Sequence, residues 1–530
     1  MLDIQENVGT LSAKVPAAVL LSKAFQNQAD IVVADVPEEK PRKALFRGYE
    51  AMGGPYSGGL CQGDYAGSGT EDQCVSNWAI RSALVLEPSD RLAAINPWHP
   101  MVSRTLSYAS TGARGTCNFA QDCVGFGEQP SYRCLQGQCI DEHATLVVSA
   151  LGLMGSWQDD RTGRGYSYLG AAAYRPFLHQ DFRLTVALDY AVNGNRNTDP
   201  GGYLFVNRSA WSPSKLGATW VTPANATLNR AARYQFITMT QAAGNSGSAG
   251  DDTARTGCEG KFNAICVGSY DFANPSTRAD DAISDFSSWK NPPDATDDEL
   301  PHIVGPGHNP VMVNPLYQRE GDALWDSSRF GTSFAAPAVL GVLMNAWEAA
   351  GLFTEYAHPI VRKALLLQSA QSVHGAALPH AGEDGRDGAG APDIRTIQRL
   401  ASTPGRVRVL DVQPSDFTAS AYRETIPVPV RAGQRVRATL VWSSCPEKRL
   451  PTDFDLSITA PAMSSCAGMS LSASQSSEYE IVEEDCATRA RAGESGTATI
   501  TIRLKDAKVR DFTCSRGETS ERIALVWDVL

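Results

Sequence analysis

The sequence lacks an excess of positive charge and any long apolar run. Its 47 lysine and arginine residues are outnumbered by 58 aspartate and glutamate residues, which gives a formal net charge of −11 at pH 7. Nucleic-acid-binding domains normally carry a basic patch or stripe, so this balance argues against a nucleic-acid partner. No apolar run approaches the roughly 18 to 20 residues that cross a bilayer as a helix. The sequence therefore predicts a folded protein that binds neither nucleic acid nor membrane.

A leader sequence is also missing. The stretch MLDIQENVGTLSAK, residues 1–14, has neither the basic start nor the apolar core of a secretory signal peptide. The twelve cysteines lie at positions 61, 74, 117, 123, 134, 139, 258, 266, 445, 466, 486 and 514. An even number in short-range pairs favours disulfides and an oxidising compartment, whereas a zinc site would need a closely spaced ligand pair with matching histidines. We therefore expect an extracellular protein whose true start lies upstream of Met1.

Helical and strand-like patterns alternate over residues 143–400. Strand-like runs such as FITMTQA (236–242) and AICVGSYD (264–271) are interleaved with helical runs such as HATLVVSALGLM (143–154) and SFAAPAVLGVLMNAWEAAG (333–351). Alternation of this kind predicts an α/β fold, in which a parallel sheet has helices on both faces.

The pattern changes near the C-terminal quarter, where short alternating segments follow one another with no long helix between them. This predicts an all-β sandwich over 405–530. We place an α/β domain at 61–400 with a cysteine-rich insert at 111–142, preceded by a propeptide tail or extension over 1–60. The stretch HAGEDGRDGAGAPD, 380–393, is predicted to be a polar, glycine-rich surface loop.

The stretch FGTSFAAPAVLGVL, 330–343, places Ser333 at the start of an apolar helix. A helix N-terminus carries partial positive charge and free N–H groups, so a serine there can present its hydroxyl to a cleft beside an oxyanion-binding N–H. A helix cap is the alternative role for that serine. Pro337 is expected in the first turn, where its missing N–H costs little. The motif GTSFAAP resembles the nucleophile motif of the subtilisin-like serine proteases (subtilases), which makes Ser333 the expected nucleophile.

A serine nucleophile needs a base for its proton. Among only eight histidines, His143 opens the strongly apolar helical run in DEHATLVVSALG. The segment resembles the family's His-Gly-Thr box, with Ala144 in place of the glycine and Leu146 in place of a second histidine. His99, in NPWHP, is the alternative. Sedolisins share a serine motif but carry a glutamate and an aspartate on one helix in place of the histidine, and HATLVVSAL has neither.

The stretch TQAAGNSGSAG places Asn245 between glycines after a strand-like run, where asparagine is commonly a turn former. It closely resembles the family's AAGN-G segment, which implies that the Asn245 side chain donates to the developing oxyanion. By the same resemblance, GYLFVNRSAWS is the substrate-binding strand. The residues expected to flank a peptide substrate are then Ser209, Ala210, Trp211 and Gly244.

The family uses an acidic residue that pairs with the histidine to complete a catalytic triad, and here the sequence departs from the family. No Asp-x-Gly ends a buried strand before the histidine. One candidate is Glu87, which ends the apolar run AIRSALVLE 56 residues before His143 (143 − 87). The other is Asp35, which ends ADIVVAD. We favour Glu87, with residues 1–50 as the tail of an inhibitory propeptide, since a glutamate can also orient and stabilise the histidine of a triad.

The C-terminal segment LPTDFDLSI places Asp453 and Asp455 on the same side of a strand. They are the candidates for half of a structural calcium site, with solvated edge carboxylates as the alternative. The segment resembles the jelly-roll or P-domain modules appended to many subtilases.

The resemblance, which covers about residues 80–400, implies a secreted, monomeric serine endopeptidase that acts on polypeptides and needs no cofactor for its chemistry. The irregular acid keeps a second hypothesis open, in which the chain is a catalytically inactive subtilase-like binding protein. A third is an esterase or other acyl hydrolase with the same constellation of residues.

Overall fold

A computed structural model gives the structure of most of the regular elements of the chain. It describes residues 2–3, 14–15, 83–87, 96, 98, 116–123, 132–152, 157–158, 165–166, 176–180, 205–209, 223–235, 237–249, 257–258, 260–271, 281–290, 300–310, 312–319, 321–323, 325–326, 328–349, 358–373, 386–417, 421–443, 445–446, 452–461, 468–472, 477–485, 491–504 and 520–530. The predicted propeptide tail at 1–60 lies almost wholly outside these residues, and the predicted domain boundaries stay predictions.

The strands before the sandwich are β1 (Leu2–Asp3), β2 (Lys14–Val15), β3 (Ala83–Glu87), β4 (Tyr132–Leu135), β5 (Gln138–Asp141), β6 (Trp157–Gln158), β7 (Gly165–Tyr166), β8 (Pro176–Gln180), β9 (Phe205–Arg208), β10 (Thr238–Ala242), β11 (Ile265–Asp271), β12 (Ala282–Ile283), β13 (Ile303–His308), β14 (Met312–Val313) and β15 (Trp325–Asp326). The helices are α1 (Glu142–Gly152), α2 (Pro223–Gln235), α3 (Thr332–Ala349), α4 (Pro359–Ser369) and α5 (Ile394–Ser402).

The main sheet has the strand order β12-β11-β10-β9-β3-β8, and β13 pairs with β11. Every pairing in it is parallel except that of β11 with β12, which confirms the predicted parallel sheet. All residues of β9 and β10 are buried, as expected for strands covered on both faces. Helix α3 packs against β9, β10, β11 and β13, while α1 packs against α3, β3 and β8.

The predicted surface loop at 380–393 is wrong for the part that the structure describes. Asp387 and Ala391 are buried, and a Cβ on Gly388 would lie 2.2 Å from the Pro301 carbonyl oxygen. The Gly390 carbonyl accepts from the backbone N–H of Val304, so this segment packs against the start of β13. The glycines that suggested a surface loop instead permit close contact between backbones.

The C-terminal strands form two four-stranded antiparallel sheets, as predicted. Their bounds are β16 (Val407–Val412), β17 (Tyr422–Arg431), β18 (Val436–Trp442), β19 (Phe454–Thr459), β20 (Met469–Ser472), β21 (Tyr479–Glu484), β22 (Ser495–Leu504) and β23 (Glu521–Val529). The sheet orders are β16-β23-β18-β21 and β17-β22-β19-β20. Strand β17 alternates between buried and exposed residues, and its inward Ile426, Val428 and Val430 join the sandwich core around Trp442 and Phe454.

The sandwich docks on helix α4 through buried polar groups. Strand β18 is buried at every residue because one face lines the core and the other meets α4. The Arg437 guanidinium donates to the Ala370 carbonyl oxygen (2.6 Å), and the Thr439 hydroxyl donates to the side-chain oxygen of Gln368 (2.8 Å). These contacts satisfy the groups at the C-terminal end of α4, which would otherwise be left without partners.

Two buried ion pairs also join the sandwich to the α/β domain. Glu478 pairs with Lys363 of α4, and Glu521 pairs with Arg233 of α2 at 2.7 Å. Each of these four side chains is less than one tenth exposed. Buried charges of this kind fix the docking geometry, because either partner alone would be a charge without compensation in a dry environment.

Two histidines near this interface are held in the neutral form. His302 Nδ1 accepts from the backbone N–H of Cys266 (3.0 Å), and His358 Nδ1 accepts from that of Ile360 (3.3 Å). Burial and the nearby Lys363 charge hold the pKa of His302 well below its usual value. Burial and three neighbouring arginines lower the pKa of His358 to about 3.

We expect stability to fall as the pH drops from 7 to 5. The unfolded chain takes up a proton on each of these histidines below about pH 6.5, whereas the folded chain does not, so acid favours unfolding. For each histidine, the slope of the unfolding free energy against pH approaches about 1.4 kcal/mol per pH unit. Thermal midpoints measured across this range check it. The thermal midpoint should depend less strongly on pH in a His302→Gln chain. An equal dependence in both chains would contradict the assignment of His302 as a neutral, buried histidine.

Two disulfides close the cysteine-rich insert, in agreement with the prediction of disulfides rather than zinc. They link Cys117 to Cys134 and Cys123 to Cys139. The hairpin of β4 and β5 that they hold runs directly into α1. A third disulfide joins Cys258 to Cys266 in β11. None of the helices in the described residues is both long and apolar enough to cross a membrane.

Candidate active site

Ser333 is the second residue of α3, at the carboxyl edge of the main sheet. Its hydroxyl donates to the Ser209 carbonyl oxygen (3.1 Å), just beyond the end of β9. The Ser209 hydroxyl in turn donates to the Ser333 carbonyl oxygen (2.7 Å). This reciprocal pair places the predicted nucleophile against the predicted substrate-binding segment.

Pro337 explains why the Ser333 carbonyl is available for that bond. The helix begins at Thr332, so Pro337 is its sixth residue. It therefore lies in the second turn, and the prediction that it lies in the first turn is wrong. Proline has no N–H, and the residue four positions earlier therefore loses its helical partner. That residue is Ser333, whose carbonyl accepts from Ser209 instead. The proline thus frees the acceptor that ties the helix start to β9.

Asn245 is fixed by the residue before the serine. Its side-chain oxygen accepts from both the backbone N–H (2.8 Å) and the hydroxyl (2.9 Å) of Thr332. The Thr332 hydroxyl also accepts from the Gly244 N–H (3.0 Å). Because the amide oxygen is engaged in this way, the Asn245 nitrogen is turned away from Thr332. It lies 3.4 Å from the position that a Cβ on Gly331 would occupy.

These groups line one cavity of about 320 Å³. Its lining residues are Ser209, Ala242, Gly244, Asn245, Ser246, Thr332 and Ser333. Four of the residues predicted from the sequence are thus brought together. The residue before Thr332 packs closely against β13, since the Gly331 N–H donates to the Gly307 carbonyl (2.8 Å) and a Cβ on Gly307 would lie 2.6 Å from the Gly331 oxygen.

His143 is the second residue of α1, which packs along α3. Its half-buried ring lies 6.0 Å, centroid to centroid, from the ring of Phe334, the residue after Ser333. The helix start is capped by Asp141, whose carboxylate accepts from the Ala144 N–H (2.9 Å). The predicted base and nucleophile therefore lie at the starts of two packed helices.

The backbone of Glu87 ends β3, between β8 and β9 in the main sheet. Leu86 is paired with Arg208, so Glu87 is level with Ser209 at the same edge. Of the other sequence candidates, Asp35, His99, Ala210 and Trp211 lie outside the described residues.

Two features of the site have only weak signals in the sequence. The Thr332 hydroxyl accepts from Gly244 and donates to Asn245, but in the sequence Thr332 is only one residue of the serine motif. Arg329 and Glu142 form an ion pair at 3.2 Å that connects the segment before Ser333 to the start of α1. A lone arginine four positions before the nucleophile is the only hint of it.

Within the described ranges, the one set of His, Cys, Asp or Glu atoms close enough to share an ion consists of Cys117, Cys123 and Cys139, which are in disulfides. Asp455 is buried and Asp453 is partly buried at the start of β19, and the structural calcium site there stays a prediction.

Residues 204–390 match the family model described as the Subtilase family. This part of the chain is therefore subtilisin-like, and it includes Ser209, Asn245 and Ser333. No curated protein matches the chain.

Several solved structures are similar to it. One is the prenylagaramide maturation protease PagA, with 19% identity, coverage of 61% of this chain and 93% of that chain, and a TM-score of 0.37. Another is the patellamide maturation protease PatA, with 18% identity, coverage of 60% and 96%, and a TM-score of 0.38. A serine protease of Aeromonas sobria has 13% identity, coverage of 94% and 98%, and a TM-score of 0.40.

Proposed function

We propose that this chain is a secreted serine endopeptidase that cleaves polypeptides through an acyl-enzyme. The observation that carries the proposal is the shared cavity, in which the Ser333 hydroxyl, the Ser209 segment and the oriented Asn245 amide meet at a helix start. The subtilase match over 204–390 supports the same reaction class. The disulfides support an oxidising, extracellular location.

The proposed reaction assigns one role to each group. His143 takes the proton of the Ser333 hydroxyl as its oxygen attacks the scissile carbonyl carbon. The backbone N–H of Ser333 and the Asn245 side-chain nitrogen donate to the oxyanion of the tetrahedral intermediate. His143 then gives its proton to the leaving amine, and water attacks the acyl-enzyme in a second, equivalent cycle that regenerates the serine.

The locked Asn245 oxygen favours this role. An amide that donates to an oxyanion must keep its nitrogen towards the cavity, whereas an amide free to flip could also present its oxygen there. The two bonds from Thr332 to the Asn245 oxygen remove that freedom. Preorganised donors of this kind stabilise developing charge without reorganisation during the reaction. Glu87 is the proposed acid, and Ser209, Ala210, Trp211 and Gly244 are proposed to flank the substrate.

Labelling with a serine-reactive fluorophosphonate tests the proposal. We expect the probe to modify Ser333 in the folded chain, as mapped by mass spectrometry of its peptides, because His143 activates that hydroxyl. The His143→Ala chain should lose the label. Ser402→Ala removes an exposed helical serine whose hydroxyl donates to the Gln398 carbonyl, and it should label as the wild type does.

Absence of label on the folded wild-type chain would overturn the peptidase proposal. It would favour the inactive binding protein, in which Ser333 only ties the start of α3 to the Ser209 segment. A labelled chain that cleaves simple esters but no protein substrate would instead indicate a non-peptidase acyl hydrolase.

A further inference from the structure

A cluster of four charged side chains connects the cysteine-rich insert to both helices of the candidate site. At its centre is Glu142, whose side chain is 5% exposed. Arg133 approaches one of its oxygens at 2.5 Å and Arg329 approaches the other at 3.2 Å. Arg329 also donates to Asp326 at 2.8 Å. We call these four residues the Glu142 cluster.

The four members of the Glu142 cluster come from four separate segments, and Asp326 is the last residue of β15. Glu142 is the first residue of α1 and directly precedes His143. Arg329 lies four residues before Ser333, in the segment that leads into α3. Arg133 lies in β4, next to the disulfide-bonded Cys134. One buried carboxylate therefore joins the base, the nucleophile segment and the insert.

The charges in this cluster hold one another in place. Burial disfavours the charge on Asp326, but hydrogen bonds from Ser328 and Arg329 outweigh it and lower the pKa of that carboxyl. Arg329 is in this way fixed from one side by Asp326 and from the other by Glu142. Its planar guanidinium suits such a bridge better than a lysine would, because its donors have a fixed geometry.

Catalysis by a serine and a histidine is sensitive to the distance between them. A nucleophile and a base must stay within hydrogen-bond reach, and a displacement of about 1 Å can lower the rate about 10²-fold. His143 and Ser333 lie on different helices and far apart in sequence. Between the two helix starts, the described contacts are the His143–Phe334 ring contact and the Glu142–Arg329 pair, together with helix packing.

We propose that Glu142 is a positioning residue, which sets His143 against Ser333 by tying the start of α1 to Arg329 and to the disulfide-bonded insert. The inference rests on the proposed peptidase function. It gives the insert a part in the reaction, because the disulfides hold the hairpin that presents Arg133. A carboxylate at a helix N-terminus also stabilises the helix, and this purely structural role is the alternative that the experiment must separate.

The test compares Glu142→Gln with the wild-type full chain. We expect kcat and the rate of fluorophosphonate labelling to fall about 10²-fold, while KM changes little, since the substrate-binding residues are untouched. Glu142→Asp keeps the charge and should recover part of the loss. Arg329→Gln should lower kcat to a similar extent, and the double variant should be no worse than either single one, because both remove the same link.

The matched control is Glu424→Gln, which removes the carboxylate of an ion pair with Arg408 (3.4 Å) in the sandwich. It should leave kcat unchanged. Should Glu142→Gln fail to fold, Arg329→Gln carries the same test. A variant with a lowered thermal midpoint but a wild-type labelling rate would overturn this inference alone and leave Glu142 as a structural residue. An unlabelled wild-type chain would overturn the peptidase proposal and this inference with it.

Discussion

Replacing Glu87 with glutamine is expected to lower kcat about 10⁴-fold, the scale of loss seen when the acid of a serine triad becomes an amide. The glutamine would keep nearly the same shape but lose the charge that we propose stabilises the protonated His143 imidazole. It would also lose the proposed preference for the histidine tautomer that leaves a ring nitrogen ready for the serine proton. Labelling of Ser333 should slow in parallel.

The position of β3 in the sheet is the structural reason for choosing Glu87. Its strand lies between β8 and β9 and is parallel to both, and Glu87 is its last residue. The carboxyl ends of parallel strands meet at one edge, which is where open α/β sheets bind their ligands. Helix α1, which carries His143, packs against the same strand. Glu87 is thus at the edge of the sheet, in the strand against which the helix of His143 packs.

The measurement is steady-state hydrolysis of a peptide substrate by Glu87→Gln, Glu87→Asp and Asp35→Asn chains. Glu87→Asp keeps the charge on a shorter side chain and should lose much less activity than the glutamine variant. Asp35→Asn should behave as the wild type. A large loss in Asp35→Asn with little change in Glu87→Gln would reverse the assignment and move the acid to Asp35.

The second large effect is expected at the interface between the two domains. Glu478→Gln should lower the free energy of unfolding by about 3 kcal/mol or more, because it leaves the buried Lys363 ammonium without a counter-charge. The carbonyl oxygens of Ala264 (3.2 Å) and Phe262 (3.4 Å) still accept from the Lys363 nitrogen, but they carry no full negative charge. Denaturant unfolding, followed by probes in each domain, measures the change.

Two comparisons make this result interpretable. Adding Lys363→Met to Glu478→Gln should recover most of the stability, since it is the unpaired charge that destabilises rather than the loss of the pair. Asp411→Asn breaks an ion pair with Arg522 in which both side chains are more than two fifths exposed, and it should cost less than about 1 kcal/mol. Equal effects of Glu478→Gln and Asp411→Asn would show that the buried pair does not hold the interface.

The parts of the site that sequence reasoning predicts well are those encoded by short local motifs. Ser333 and Asn245 each lie in a run whose small residues, turn and helix pattern fix the backbone locally. Pro337 lies further into the helix than the sequence predicts, because α3 begins at Thr332. Its effect on the Ser333 carbonyl becomes visible only when Ser209 is brought alongside it.

The same limit applies in the sandwich, where β20 and β21 have no clear sequence signal. Both strands have buried polar residues: Ser472 of β20 donates to the buried Glu480 of β21, and Ser470 donates to the buried Glu484 (2.8 Å). Meanwhile Met469 and Leu471 of β20 are more than half exposed. In β20, alternation of apolar residues therefore points to the wrong face, because serines paired with glutamates of β21 lie on the inner side.

Strand β23 also determines when the molecule can finish folding. It lies between β16 and β18 and carries Glu521, the partner of Arg233 at a separation of 288 residues. During synthesis, chains emerge from the N-terminal side, and contacts of long sequence separation form slowly. Until residues 521–529 have been synthesised, Arg233 on the face of the α/β domain formed by α2 and α4 lacks Glu521 as its partner. A nascent chain halted before this strand would expose that face to chaperones and to other chains.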